Sequence, residues 1–353
     1  MDLPGARHLD PAPRAPGAVA APVVTAPGAA GGRDATTGAA PGGAGATDGG
    51  PGRWRGAATV LLGAGSNQLG AGVGAGAFSA VGPAGVVAVR QVVAAAVLLP
   101  LARPSLRRLT WSQWWPALLL ALVFAGMNLA LYTAVDRIGL ALAVTLEFLG
   151  PLGVALAASR SRRDLLTALL AGAGVYLLVM PGPSSDLVGI AVGLAAGACW
   201  AACIVVNRVA GRRLPGLQAP ALASGLSAVG YLPVLVLVTV DGRWDAETLV
   251  RVLATGLLSS VVPFTADLVA LRTVPPRLFG ILSSTQPVLA ALVGLELLGQ
   301  VLAAHEWAGI AVVVVADVVA VTSASRARPF VGPPPPPASS PGRPVGEDAA
   351  SGA

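Results

Sequence analysis

Lysine is absent from this chain, histidine occurs twice, and only 11% of its 353 residues are charged. Soluble domains carry about 25% charged residues. So little charge excludes a water-covered globule of this size and makes a membrane the better solvent. Scarce histidine also narrows the chemistry: His8 lies in a terminal stretch without hydrophobic period, and His305 lies in a loop. No HExxH, nucleophile elbow, phosphate loop or ATPase motif occurs, which argues against an enzyme. The two cysteines, Cys199 and Cys203, stand four apart in one apolar stretch. Parallel side chains on one helix do not suit a disulfide, and two thiols are too few to hold a metal. A buried apolar role is expected for both, and no cofactor is implied.

The basic residues are all arginine, and the net charge is +6. The arginines punctuate apolar stretches instead of forming one basic face, which excludes nucleic acid as a partner. Residues 1–52 are Gly, Ala, Pro, Asp and Thr without period, and are expected to be disordered. They lack the basic start and apolar core of a signal peptide. A second disordered tail is expected over 323–353. There Pro333 to Pro337 form an extended polyproline run, either a docking segment or a plain flexible tail.

Between the tails, ten apolar stretches are near the roughly 20 residues that cross a bilayer core. They cover about 57–77, 81–101, 115–135, 139–158, 165–181, 187–206, 218–240, 249–270, 278–299 and 305–322. The fold expected is an all-α integral membrane bundle of ten transmembrane helices. With the N-terminus inside, Arg53, Arg55, Arg103, Arg107, Arg108, Arg160, Arg162, Arg163, Arg208, Arg212, Arg213, Arg272, Arg277, Arg326 and Arg328 all fall on the cytoplasmic side. The opposite side receives Arg137, Arg243 and Arg251. Arginine excess marks the cytoplasmic loops, so both termini are expected there. The layout divides into five spans over 57–181 and five over 187–322. An odd number per half sends the second half through from the other side, as two inverted five-helix repeats. Ala141 to Phe148 (ALAVTLEF) can be laid on Gly280 to Pro287 (GILSSTQP), which sets Thr145 on Ser284 and Glu147 on Gln286.

Charges within spans are informative, because each costs about 2.5–3.5 kcal/mol at the bilayer centre on insertion scales. Arg90 sits midway along the second span and Glu147 midway along the fourth. They either form a buried ion pair that fixes packing or line a common cavity. Asp267 can bind substrate or a proton, reach the interface, or pair with Arg272. Glu296 and Asp317, near span ends, are read as reaching the headgroups. Uncharged candidates are Ser66, Asn67 and Gln68, the i,i+4 pair Asn128 and Tyr132, and Trp200 with Asn207 seven residues on. Each either bonds between helices or meets a solute. Glycines crowd the first span, and Pro151, Pro263 and Pro287 can free backbone carbonyls within spans.

The stretch Gly139 to Arg160 (GLALAVTLEFLGPLGVALAASR) resembles the EamA-type branch of the drug/metabolite transporter superfamily, closest to its threonine/homoserine exporters. The resemblance extends through Val81 to Arg90 (VGPAGVVAVR), Met127-Asn128, Gly197 to Ala201 (GACWA), Val262 to Asp267 (VPFTAD), Phe279-Gly280 and Pro287 to Ala291. It implies ten helices in two inverted repeats, a central cavity open alternately to either side, and export of small metabolites such as amino acids. Proton exchange would supply the energy, from the bacterial inner membrane. It also leaves a homodimer open. Glu147 matches the glutamate of the family's LEF motif, Arg90 its second-helix arginine, and Gln68 a polar position of the first helix. Asp267 falls where relatives carry glutamate. Gln286, Gln300 and Ala75 depart from charged positions of the branch, which bears on substrate identity and proton coupling.

The expected substrate site is thus Glu147, Arg90, Asp267, Gln68, Asn128, Tyr132, Trp200, Asn207 and Gln286. Two alternatives remain at this stage: a transporter of another class of solute, such as a nucleoside or a drug-like amine, and a non-transporting membrane scaffold.

Overall fold

The computed structural model describes residues 51–157, 162–180, 186–241 and 244–324. Of the tails expected over 1–52 and 323–353, residues 1–50 and 325–353 lie outside the described residues, while residues 51–52 open the first helix and 323–324 close the last. All regular structure among the described residues is helical. The helices are α1 (Pro51–Ala75), α2 (Phe78–Ala102), α3 (Trp111–Ile138), α4 (Leu140–Ala157), α5 (Arg162–Val179) and α6 (Leu187–Gly211). There follow α7 (Gln218–Gly230), α8 (Leu232–Asp241), α9 (Ala246–Gly256), a π-helical turn (Leu257–Val261), α10 (Val262–Thr273), α11 (Pro276–Ser283), α12 (Gln286–Leu298) and α13 (Ala304–Ala324).

Among the described residues, seven helical segments are long and apolar enough to cross a membrane, or eight if the bent pair α7–α8 is one span. Helix α1 and the apolar part of α5, Leu165–Val179, fall short by composition and length. The stretch expected as one straight span over 218–240 is bent by 46° between α7 and α8. Pro233 follows Gly230 there. A proline removes the donor for the carbonyl four residues back and clashes with it, so the helix turns. Leu61, Leu122, Leu165, Leu237 and Val250 are exposed on the outer faces, as lipid contact requires.

Packing follows small residues. Gly56, Gly63 and Gly70 recur at seven-residue spacing on one face of α1. A Cβ on Gly63 would lie 2.9 Å from the Ala266 methyl, and one on Gly70 would lie 2.8 Å from Leu258 Cβ. This glycine face is what lets α1 lie against α10 and the π-helical turn. Helices α4 and α6 touch backbone to backbone: a Cβ on Gly150 would land on the Gly197 carbonyl, and one on Gly197 would lie 2.9 Å from the Leu146 oxygen. Other close pairs are α3 with α6, α5 with α13, α2 with α7, and α4 with α12.

Polar links close the ends. The Asp186 carboxylate accepts from Gly189 N–H at 2.9 Å and pairs with Arg137 at 2.9 Å, tying the start of α6 to the end of α3. The Gly189 amide and then the Arg137 guanidinium hold the Asp186 carboxyl below its usual value. That contribution exists above the ordinary carboxylate range and is lost as pH falls through the lowered value. Gln300 Oε1 accepts from Leu140 N–H at 3.0 Å, so it caps α4 after the positive-φ turn at Gly139 (φ 84°). Asp317 corrects the expectation of headgroup contact: it is 4% exposed, with Oδ2 unpartnered, because α5 packs over that face of α13.

The Gly150–Gly197 crossing gives a direct check. Gly150→Ala should destabilise the protein by about 1–3 kcal/mol through overpacking. Gly153→Ala, where nothing lies within 4 Å, should leave stability equal or slightly higher. Thermal melts of the two detergent-purified variants read this directly, and equal melting would contradict the crossing.

Candidate functional site

Pro263 has no N–H to give the Ser259 carbonyl four residues earlier, and the chain there relaxes into the π-helical turn. That turn delivers two acceptors to the bundle interior. Arg90 Nη2 donates to the Ser259 carbonyl at 2.7 Å, and Arg90 Nε donates to Ser260 Oγ at 3.0 Å. Arg90 Nη1 donates to Asn128 Oδ1 at 2.6 Å, and Asn128 Nδ2 donates to the Phe124 carbonyl at 2.7 Å. The guanidinium lies 5.5 Å from the Tyr132 ring centroid. Asn128 and Tyr132, one helical turn apart on α3, thus meet the same cation from one face. Guanidinium carries five N–H donors, so three bonds leave two of them for a ligand.

Glu147 shares a cavity with this arginine and is 6% exposed. No ion pair joins the two, and Glu147 has no hydrogen-bond partner among the described residues. Of the two arrangements expected for this pair, the structure has them lining a common cavity. Its place is set by the Gly150–Gly197 crossing three residues along α4. Beside it, Phe148 meets Trp200 edge to face, with ring centroids 4.8 Å apart. Asp267 lines the same cavity and has no hydrogen-bond partner among the described residues; the side chain of Arg272, its other expected partner, lies outside the described residues. Gln286 Oε1 accepts from Gln68 Nε2 at 2.9 Å and from Asn67 Nδ2 at 3.3 Å. Its own amide N–H groups remain for a ligand. Gln286 does this without the charge a glutamate would bring. Tyr132 Oη is buried and unpartnered.

The cavity has a volume of about 170 Å³. That is several times the roughly 30 Å³ share of a liquid water, and is room for a small solute. It brings together Glu147, Arg90, Asp267, Gln68, Asn128, Tyr132, Trp200 and Gln286. Asn207 is the candidate it does not include; it lines a neighbouring cavity. Trp200 lines both cavities, and Asn207, two turns further along α6 and about 10 Å of helix rise away, lines only the second. Ser259, Ser260 and Ser283 were missing from the expected set, although Ser259 and Ser283 line the cavity. The available signal was a serine pair one turn before a proline in an apolar span. Among the described residues, no three His, Cys, Asp or Glu side chains gather as a metal site.

Chemically, one cavity is lined by two carboxylates without hydrogen-bond partners among the described residues, by an arginine with donors to spare and by several amides. An ammonium group suits the carboxylates, and a carboxylate suits the arginine. This is a complement to a zwitterion.

The model of the EamA-like transporter family matches residues 187–322. The chain is 34% identical to the threonine/homoserine exporter RhtA of Escherichia coli K12 over 252 residues, covering 70% of this chain and 85% of the relative. The exporter of the same name from Salmonella typhimurium LT2 matches to the same extent. YwfM of Bacillus subtilis, an uncharacterized transporter, is 26% identical over 216 residues, with 58% and 73% covered. A protein crystal structure 20% identical superposes with a TM-score of 0.50, covering 76% of this chain and 98% of its own. That likeness concerns the fold alone.

The arginine network predicts a graded response. Arg90→Met leaves acceptors unanswered and should cost about 1–3 kcal/mol per buried group. Arg90→Lys keeps the charge but not the planar fork, and should recover part of that loss. Melting of purified Arg90→Lys at the parent temperature would show that charge alone matters.

Proposed function

This chain belongs to the EamA-like transporter family, and from that premise we propose that it exports threonine, homoserine and similar small amino acids. It is a multi-pass membrane transporter and not an enzyme. The observation that carries the substrate is the cavity itself: Glu147, Asp267 and Arg90 line one space fit for one small zwitterion, and neither carboxylate has a hydrogen-bond partner among the described residues. The ammonium of the amino acid neutralises Glu147, and the two remaining guanidinium N–H donors of Arg90 take the carboxylate. The Gln286 amide fixes the orientation between them.

Proton antiport follows from the same group. Glu147 is buried, and a bare carboxylate in an apolar bundle is costly unless something neutralises it. Substrate ammonium and a proton are alternatives for that role. When the amino acid leaves, a proton takes its place, and inward release of that proton resets the carrier. Exchange at one carboxylate couples the two fluxes without ATP.

Ten spans in two inverted repeats, with both termini in the cytoplasm, complete the proposal. Helix pairings support it. Helix α3 packs on α6 as the α9–α10 segment packs on α1; α4 packs on α6 as α11–α12 packs on α1; and α3 packs on α7 as α9 packs on α2. Each pair becomes the other when the halves are exchanged. The laid-over segments agree in detail: Thr145 Oγ1 donates to the Ala141 carbonyl at 2.7 Å, and Ser284 Oγ donates to the Gly280 carbonyl at 3.1 Å. Glu147 and Gln286 then meet in one cavity. The alternation of arginines between loops supports the orientation.

The test is export from cells lacking their own threonine and homoserine exporters, loaded with dipeptide. The chain should speed release of threonine or homoserine into the medium. Glu147→Gln should reduce release to the level of cells without the protein, while still reaching the membrane. Normal release by that variant would remove Glu147 from the mechanism. No release of any amino acid, with protein in the membrane, would move the substrate to another class.

A further inference from the structure

A second cavity adjoins the zwitterion site. Phe124, Met127, Trp200 and Phe264 line both and form the wall between them. Beyond this wall the cavity reaches Leu120, Cys203, Ile204, Pro220 and Ala223, from α3, α6 and α7. Its volume is about 90 Å³, and no charged residue lines it. Two neutral polar groups do: the Asn207 amide, for which no hydrogen bond is formed among the described residues, and the Ser224 hydroxyl. Ser224 is 0% exposed, and its Oγ has no hydrogen-bond partner. Buried hydroxyls in native proteins are nearly always answered, so an orphan on the wall of an empty apolar space points to a ligand atom that reaches it.

We propose that this second cavity is a side-chain subsite, which admits neutral amino acids larger than threonine. The ligand keeps its ammonium and carboxylate in the Glu147–Arg90 cavity and extends an uncharged, mainly apolar side chain past the aromatic wall. Methionine 127, unbranched and adaptable, is suited to yield at that wall. The Ser224 hydroxyl and the Asn207 amide answer a polar atom on the longer side chains. Charged side chains are refused, because burial without a counter-charge is costly. Threonine and homoserine are short enough to stay in the polar cavity. The inference rests on the amino-acid reading given above and extends it to a substrate range.

The experiment uses purified full-length protein in vesicles preloaded with labelled amino acids, and reads efflux. Wild type should release methionine as well as threonine, and external methionine or leucine should compete with threonine where lysine and glutamate do not. Ala223→Leu fills the subsite without touching the polar cavity; it should lower methionine efflux about tenfold or more and change threonine efflux less than about twofold. Equal loss of both solutes from a variant that melts like wild type would overturn the subsite, as would a wild type that ignores methionine and leucine or admits lysine equally. The competition arm needs no variant, so a poorly folding Ala223→Leu does not decide the matter. Threonine efflux with no effect of methionine refutes the subsite alone. Methionine efflux without threonine or homoserine efflux refutes the proposed substrates and keeps the subsite. A protein that releases neither overturns both.

Discussion

Arg90 is a permanent cation in a bundle interior, and its need for partners organises the structure around it. Guanidinium cannot be neutralised by losing a proton, so the fold has to answer it where it stands. Two elements do so. The π-helical turn presents the Ser259 carbonyl and the Ser260 hydroxyl, α3 presents Asn128, and Tyr132 offers its ring face. Hydrogen bonds to charged groups are worth about 1.5–3 kcal/mol each. The network therefore holds α2, α3 and the α9–α10 segment in one register. It holds them without a direct bond to Glu147, which leaves that carboxylate open to a solute.

The same device recurs at the edge of the bundle. Pro116 gives no N–H to the Ser112 carbonyl, and Arg213 Nη1 donates to that carbonyl at 2.8 Å, while its guanidinium stacks 4.9 Å over Trp115. Proline loosens a carbonyl and arginine takes it up, once at the centre and once at the end of α3. Glycine supplies the complementary device. It lets α4 meet α6 and α1 meet α10 at backbone distance, and those two contacts set the walls of the cavity. Arginine, proline and glycine thus place the site, while leucine, valine and alanine fill the space between them and face the lipid.

Much of this was legible in the sequence, for a physical reason. A charge inside an apolar span is costly, so Arg90, Glu147 and Asp267 announced themselves, and the cavity does gather them. Asn128 and Tyr132 were legible as a pair from helical spacing. Other features were not. Serines are common in membrane helices, so the pair Ser259 and Ser260 carried only the faint signal of standing one turn before Pro263, and the bulge there turns them inward. Asp317 stood near a span end, where snorkelling is cheap, and only tertiary packing shows α5 covering it. The break between α7 and α8 was hidden because both halves are apolar and run on without a polar gap. Asn207 shares a face with Trp200 and a cavity with it, but not the cavity that holds Glu147 and Arg90. Periodicity gives direction around a helix; position along a cavity depends on the neighbours.

The central claim is that one buried site binds a small zwitterion and alternates its exposure. Counterflow in vesicles tests it most directly. Purified protein is reconstituted with unlabelled homoserine inside, and labelled threonine is added outside at trace concentration. The account predicts transient accumulation of threonine in vesicles with the protein and none in vesicles without it. Equal threonine in both would contradict the account, because a shared alternating site cannot bind both amino acids and fail to exchange them.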